Sequence, residues 1–221
     1  MQYNLKMFKY SFKSLINLIP FLILFIIFGY YFVESFVLSE SWELVLIRSI
    51  DDTALHGSLR SIQNAMANGD WSRALFFFDY AYGNAFWLFN SVLLFPFYLN
   101  NDTQSIVVLG RLISLFFVFG SIYVVGLIVD AGLLKYPILI SLATMPMLAV
   151  IATKFHVNAQ AIFFGILSFY ILISELEINK RKIIYSAFFA GVAIGFKLTS
   201  IIITPLLCLA LMRKLYYRGI K

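Results

Sequence analysis

Charged residues are scarce in this chain. Asp, Glu, Lys and Arg make up 13% of its 221 residues, while 62% are hydrophobic and the mean hydropathy is +0.89. A soluble domain is nearer half apolar and about a quarter charged. Cysteine is almost absent: Cys208 stands alone, which excludes an internal disulfide and a cysteine-ligated metal site. No small-x-small cleavage site follows the first apolar run, and that run is too long for the core of a signal peptide, so an uncleaved anchor is expected. Internal repeats and low-complexity linkers are also missing.

What is present is apolar sequence in long runs. A hydrocarbon layer of about 30 Å takes about 20 apolar residues in a helix to cross. A helix also satisfies its own backbone where lipid cannot. The expected fold class is therefore all-α, a polytopic transmembrane helical bundle of about six spans in a single membrane domain, 1–221. The first span is placed at 15–33, the second at 106–128 and the fourth at 159–174. The third, 136–153, is expected to kink at Pro146. The fifth and sixth share 183–212 and meet near Lys197. Between the first two spans lies a long mixed segment, 34–105. Leu55, Leu59, Ile62 and Met66 recur at helical spacing within it and predict a helix over 53–68. Gly69 ends that helix, and Asp70-Trp71 makes the turn after it. Residues 85–99 are apolar but short, interrupted by Asn90 and Pro96.

The net charge of +6 does not point to nucleic acid, because the basic residues sit at the ends of apolar runs. That is the pattern of cytoplasmic membrane flanks. With 85–99 lying on the outer surface, the cytoplasm receives Lys6, Lys9, Lys13, Lys135, Lys180, Arg181, Lys182, Arg213, Lys214, Arg218 and Lys221, eleven of the 17 basic residues. If 85–99 crosses, the Lys180–Lys182 cluster and the basic tail move outside. Six spans, both termini cytoplasmic and 85–99 as an amphipathic or re-entrant outer helix are therefore expected.

The outer face then gathers several polar groups. Asp51-Asp52 either caps the helix that follows, supplies a general base, or holds a divalent metal, Mg or Mn, through hard oxygen ligands. Lys154, His156 and Asn158 lie in a loop that departs from the charge rule. They either bind a phosphate, with Lys as a point charge, or form an interfacial loop with a snorkelling lysine. Lys197 lies in a stretch of about 30 nearly uncharged residues, where an ionisable group usually faces a cavity or marks a site. Arg111 either snorkels outward or pairs with a carboxylate or phosphate. His56 reads first as a local hydrogen-bonding residue. Tyr80, Tyr82 and Trp87 read first as belt aromatics, with stacking on a sugar as the alternative.

The order of these features resembles the GT-C glycosyltransferases, above all the protein mannosyltransferase and lipid A aminoarabinose transferase branch. The residues carrying the resemblance are Asp51-Asp52 after the first span, Asn68-Gly69-Asp70-Trp71, Tyr82-Gly83 before an apolar juxtamembrane helix, Arg111-x-x-Ser114, Ala143-Thr144-Met145-Pro146 and Gly191 to Thr199. Where that family often has Asp before the fourth span, this chain has Asn158. The resemblance implies an inverting transferase using a polyprenyl-phosphate sugar and a glycan, lipid or protein acceptor on the non-cytoplasmic face, in a bacterial inner membrane. It further implies Asp51 or Asp52 as base, with Arg111, Lys154, His156, Asn158, Lys197, His56 and Tyr82 around the substrates. Family members are usually longer, so the chain is expected to be the front part of an enzyme. The alternatives are a non-catalytic scaffold or partner subunit and, third, a transporter or flippase.

Overall fold

The computed structural model describes residues 2–37, 50–75, 83–129, 132–174 and 179–219; the side chains of 2–18, 50–52, 133, 215 and 217–219 lie outside that description. Within it the chain is helical, with no strand among the described residues. In chain order the helices are α1 (Gln2–Val37), α2 (Ile50–Ala67), α3 (Trp71–Leu75), α4 (Asn84–Leu99), α5 (Thr103–Ile128), α6 (Lys135–Ala143), α7 (Pro146–Thr153), α8 (Val157–Ile173), α9 (Lys180–Phe196) and α10 (Ile203–Gly219). Two stretches, Ile19–Val37 of α1 and all of α5, are long and apolar enough to cross a membrane. The pair α6 and α7, bent by 58°, makes a third if it is one span. Helices α4 and α8 are apolar but shorter.

Local chemistry sets the turns. Gly69, at φ +74°, closes α2: the Asp70 amide donates to the Ala65 carbonyl and the Gly69 amide to that of Met66. This pair of bonds is the Schellman arrangement, which needs a left-handed residue. Asp70 then caps α3, accepting from the Arg73 amide at 3.1 Å and the Ser72 hydroxyl at 2.9 Å. Asn101 and Asp102 repeat the device between α4 and α5, with Asp102 accepting from the Ser105 amide at 3.0 Å. Hydrogen bonds from the Arg73 amide and Ser72 hold the Asp70 carboxyl below the usual carboxylate range, and those from Ser105 do the same for Asp102.

The expected kink is present. Pro146 cannot donate, so α6 stops at Ala143 and α7 starts at Pro146. Side chains add bonds at the break: the Tyr31 hydroxyl of α1 donates to the Ala143 carbonyl at 2.9 Å, and the Thr144 hydroxyl to that of Ile140 at 2.9 Å. Ser168 and Ser186 donate to each other's carbonyls at 2.7 and 2.9 Å, and small residues such as Ala161, Gly165, Ala190 and Ala193 line the same region of α8 and α9. Small residues and hydroxyls are how helices approach closely in lipid.

Helix α4 is apolar on its outward face and mixed on its inward one, where two polar residues sit among apolar ones. Its buried stripe is Phe86, Trp87, Asn90, Ser91 and Leu94, whereas Val92, Leu93 and Leu99 are exposed. Asn90 and Gln160 of α8 form a reciprocal amide pair, at 3.2 and 2.9 Å, and both are buried. Asn90, an interruption of the apolar run when seen in sequence, thus ties α4 to α8. Asn90→Leu or Gln160→Leu alone strands a buried amide and is expected to cost about 1–2 kcal/mol. The double replacement should lose less than the sum, as read from unfolding in detergent; strictly additive losses would contradict the pairing.

Candidate functional site

Three breaks in the helices meet at one end of the bundle. The first is Lys154-Phe155-His156 between α7 and α8, where Lys154 and His156 have extended backbone. The second is Lys197 between α9 and the 3-10 turn Leu198–Ile202, again extended, at φ −147° and ψ 120°. The third is Gly83, which opens α4.

Lys197 and Asn158 come together. The Lys197 Nζ donates to Asn158 Oδ1 at 2.5 Å, and both side chains are partly buried. Asn158 stands in the first turn of α8, whose cap is His156: its Nδ1 accepts from the Asn158 amide at 3.1 Å. Accepting at Nδ1 requires that nitrogen to be unprotonated, so a neutral His156 carries its proton on Nε2. The His156 amide in turn donates to Ser114 Oγ at 2.9 Å. Ser114 is three residues after Arg111, on the same side of α5. This gives the Arg111-x-x-Ser114 spacing a structural role.

Arg111 differs from one expectation. It does not snorkel outward but is buried, at 1% exposure. Glycine explains part of this: at Gly110 an added Cβ would lie 3.0 Å from Phe155 and 3.3 Å from His56. The loop and α2 therefore close over α5 at this level. His56 is itself buried and stacks on Phe155, with ring centroids 5.0 Å apart. A purely interfacial 154–158 loop is likewise not what is found, since Phe155 and Val157 are fully buried and Lys154 is half-buried.

Asp51 and Asp52 are not caps ahead of the helix. Both lie within helix α2 as it is described from Ile50, and Asp52 lies one turn before His56. Their side chains, and Tyr80 and Tyr82 altogether, lie outside the described residues. Among the described residues no group of three or more His, Cys, Asp and Glu gathers at metal-binding distance.

Gly83 binds the start of α4 to the end of α9. Its amide donates to the Phe196 carbonyl at 2.9 Å, and an added Cβ would come within 1.8 Å of the Gly195 oxygen. The neighbour is backbone and cannot swing away, so Gly83→Ala is expected to cost about 1–3 kcal/mol or more. Gly191 supplies the control. It meets nothing within 4 Å, so Gly191→Ala should be neutral or stabilising in the same unfolding measurement.

Electrostatically the bundle has two ends. At the C-terminus of α8, Lys214 donates to the Leu172 carbonyl at 2.5 Å and Lys182 to Ser174 at 2.9 Å. Lys197 and His156 lie at its N-terminus, about 25 Å away along 17 residues. Among the described residues Lys197 makes no ion pair; its partner is a neutral amide.

Sequence reasoning picked out Lys197, Asn158, His156, Arg111 and His56: hydrogen bonds join the first three, while His56 packs on Phe155 and Arg111 follows Gly110, which meets both of those rings. It missed Phe155, the shared packing surface, Gln160, whose signal was an amide flanked by apolar residues, and Gln63, which stands beside Asn64 and carried no such signal. No family model, curated protein or solved structure matches the chain.

Proposed function

We propose that the chain is a membrane glycosyltransferase module of the GT-C type, which takes a sugar from a polyprenyl-phosphate donor and gives it to an acceptor on the non-cytoplasmic face. The observation that carries this reading is Lys197. It is an ammonium held at a break in the helices by the Asn158 amide, beside the N-terminal end of α8. An ammonium in an apolar bundle needs a reason, and a phosphate supplies one. The N-terminal end of a helix adds favourable field for the same anion. His156 Nε2–H, Arg111 and Lys154 complete the basic side of the site.

In this reading the six spans are α1, α5, the bent pair α6–α7, α8, α9 and α10. The Lys182 and Lys214 end faces the cytoplasm with both termini, and α2 to α4 form the outer loop of a bacterial inner membrane protein. A groove of about 630 Å³, lined mainly by Phe32, Phe36, Val108, Leu109 and Leu112, runs between α1 and α5 and suits a lipid chain.

The proposed step is a single displacement. Asp51 takes the proton of the acceptor hydroxyl, whose oxygen bonds to the anomeric carbon. The bond from that carbon to the phosphate oxygen breaks, with inversion, and polyprenyl phosphate leaves. Asp52 orients the base or joins Asp51 in holding Mg or Mn. Lys197, Asn158, Arg111, Lys154 and His156 stabilise the charge on the leaving phosphate. His56 and Tyr82 flank the acceptor side.

The test is turnover. The chain in lipid nanodiscs is given polyprenyl-phosphate mannose or aminoarabinose with a mixed acceptor extract, and released polyprenyl phosphate is measured. Release that depends on acceptor is expected. A folded chain that releases none would favour the non-catalytic scaffold, and movement of uncleaved lipid across a vesicle would favour a flippase.

A further inference from the structure

The groove of about 630 Å³ between α1 and α5 opens at the end of the bundle where α5 starts. Its walls are apolar, with Phe36 of α1, Phe97 of α4, and Val108 and Leu112 of α5 among them. Gln104 and Ser105 stand at its mouth. The other end is closed. One turn beyond Leu112, Phe116 meets Phe28 of α1 with ring centroids 5.7 Å apart, and Phe28 meets Phe119 at 5.0 Å. From Gln104 to Leu112 the groove runs about 12 Å, at 1.5 Å per residue. That is close to one leaflet, half of a hydrocarbon core of about 30 Å. An acyl chain entering from one leaflet fills such a wedge. A neighbouring helix running the whole depth would meet the closed phenylalanines after about two turns.

The mouth sets the headgroup. Asp102 adjoins it through Ser105, whose amide donates to the carboxylate at 3.0 Å and whose hydroxyl donates to the other carboxylate oxygen. These bonds hold the carboxyl below its usual range, so it is ionised at neutral pH. Glu34, three residues before Val37, puts a second carboxylate at the same end of α1. Among the described residues no basic side chain lines the groove. At about 100° per residue, Arg111 and Ser114 leave α5 on the side away from it, and so does Thr103, which shares a pocket with Arg60. An anionic headgroup here would face a carboxylate, whereas an ammonium would gain a charge-assisted hydrogen bond. Gln104 offers an amide N–H to the phosphodiester beside it.

We infer that this groove binds one phospholipid with a primary-amine headgroup, its acyl chain along α5 and its ammonium on Asp102. This lipid is a second one, because Ser114 and the 154–158 loop lie across α5 from it. The inference rests on α1 and α5 lying in a membrane and not on sugar transfer.

The test is native mass spectrometry of the full chain after exchange into an equimolar mixture of phosphatidylethanolamine and phosphatidylglycerol with the same acyl chains. One phosphatidylethanolamine should be retained, at least about tenfold over phosphatidylglycerol, the discrimination given by one charge-assisted hydrogen bond. Asp102→Asn keeps the helix cap, because Asn accepts from the Ser105 amide as Asp does. It should lose the preference while still retaining lipid. Val108→Trp fills the groove and should lose both lipids, with an unfolding midpoint close to wild type. Equal retention of the two lipids by the wild type, or an unchanged preference in Asp102→Asn, would overturn the inference. A preference that survives in Val108→Trp would place the amine at the surface, outside the groove, and would overturn it too. So would a lipid-free dimer, which would mean that a second copy covers this face.

Discussion

Lys197→Met is expected to lower sugar transfer by at least about a hundredfold, in the range seen when one preorganised donor to a developing charge is removed. The side chain is nearly isosteric, and the helix break it occupies is made by backbone: the Lys197 amide donates to the Ala193 carbonyl at 3.0 Å. The fold should therefore survive, and unfolding midpoints should stay close to wild type. Lys197→Arg keeps the charge but not the compact fit against Asn158 Oδ1, so it should recover only part of the rate. Asn158→Leu leaves the ammonium present but unheld and should cost about tenfold, chiefly through poorer positioning. A Lys197→Met protein with wild-type turnover would remove the basis for placing the donor phosphate here.

Asp51→Asn is the second large effect. Loss of a positioned general base lowers rates by about 10²–10⁴, and the amide is too weak a base to replace it. Membrane insertion and unfolding should not change, because the substitution conserves volume within α2. Asp52→Asn separates the two roles proposed for the pair. If Asp52 only orients the base, its loss is smaller than that of Asp51. If the pair holds a metal, both losses are comparable and wild-type activity disappears on chelation, returning with Mg or Mn. A well-inserted Asp51→Asn protein with full activity would sink the assignment.

Long apolar runs were legible because membrane crossing is a matter of length and composition. The run placed at 106–128 is α5, Thr103–Ile128, and the meeting point near Lys197 is the break between α9 and the turn after it. Pro146 and Gly69 were legible because a missing amide and a left-handed backbone are properties of single residues. Helix starts were less so. Apolar spacing from Leu55 onward says that a helix exists but not where it begins, and α2 takes in Asp51 and Asp52 before that pattern starts.

The site was half legible for a related reason. A charge in an apolar run is visible in sequence, which marked Lys197 and Arg111. Whether it reaches water depends on what packs over it. Gly110 lets Phe155 and His56 close on α5, and that is a contact between distant parts of the chain. The Asn90–Gln160 pair spans 70 residues, and no local pattern connects them. The unpartnered oxygen of Gln63 is visible only once Ser91 is seen facing the other end of its amide.

The most direct test of the central claim is binding of a polyprenyl monophosphate to the purified chain in nanodiscs, with the uncharged polyprenol as comparison. Wild type should retain the phosphate and discriminate against the alcohol. Lys197→Met should lose that discrimination while still tolerating the lipid chain. Equal retention of phosphate and alcohol by the wild type, or unchanged discrimination in Lys197→Met, would contradict it.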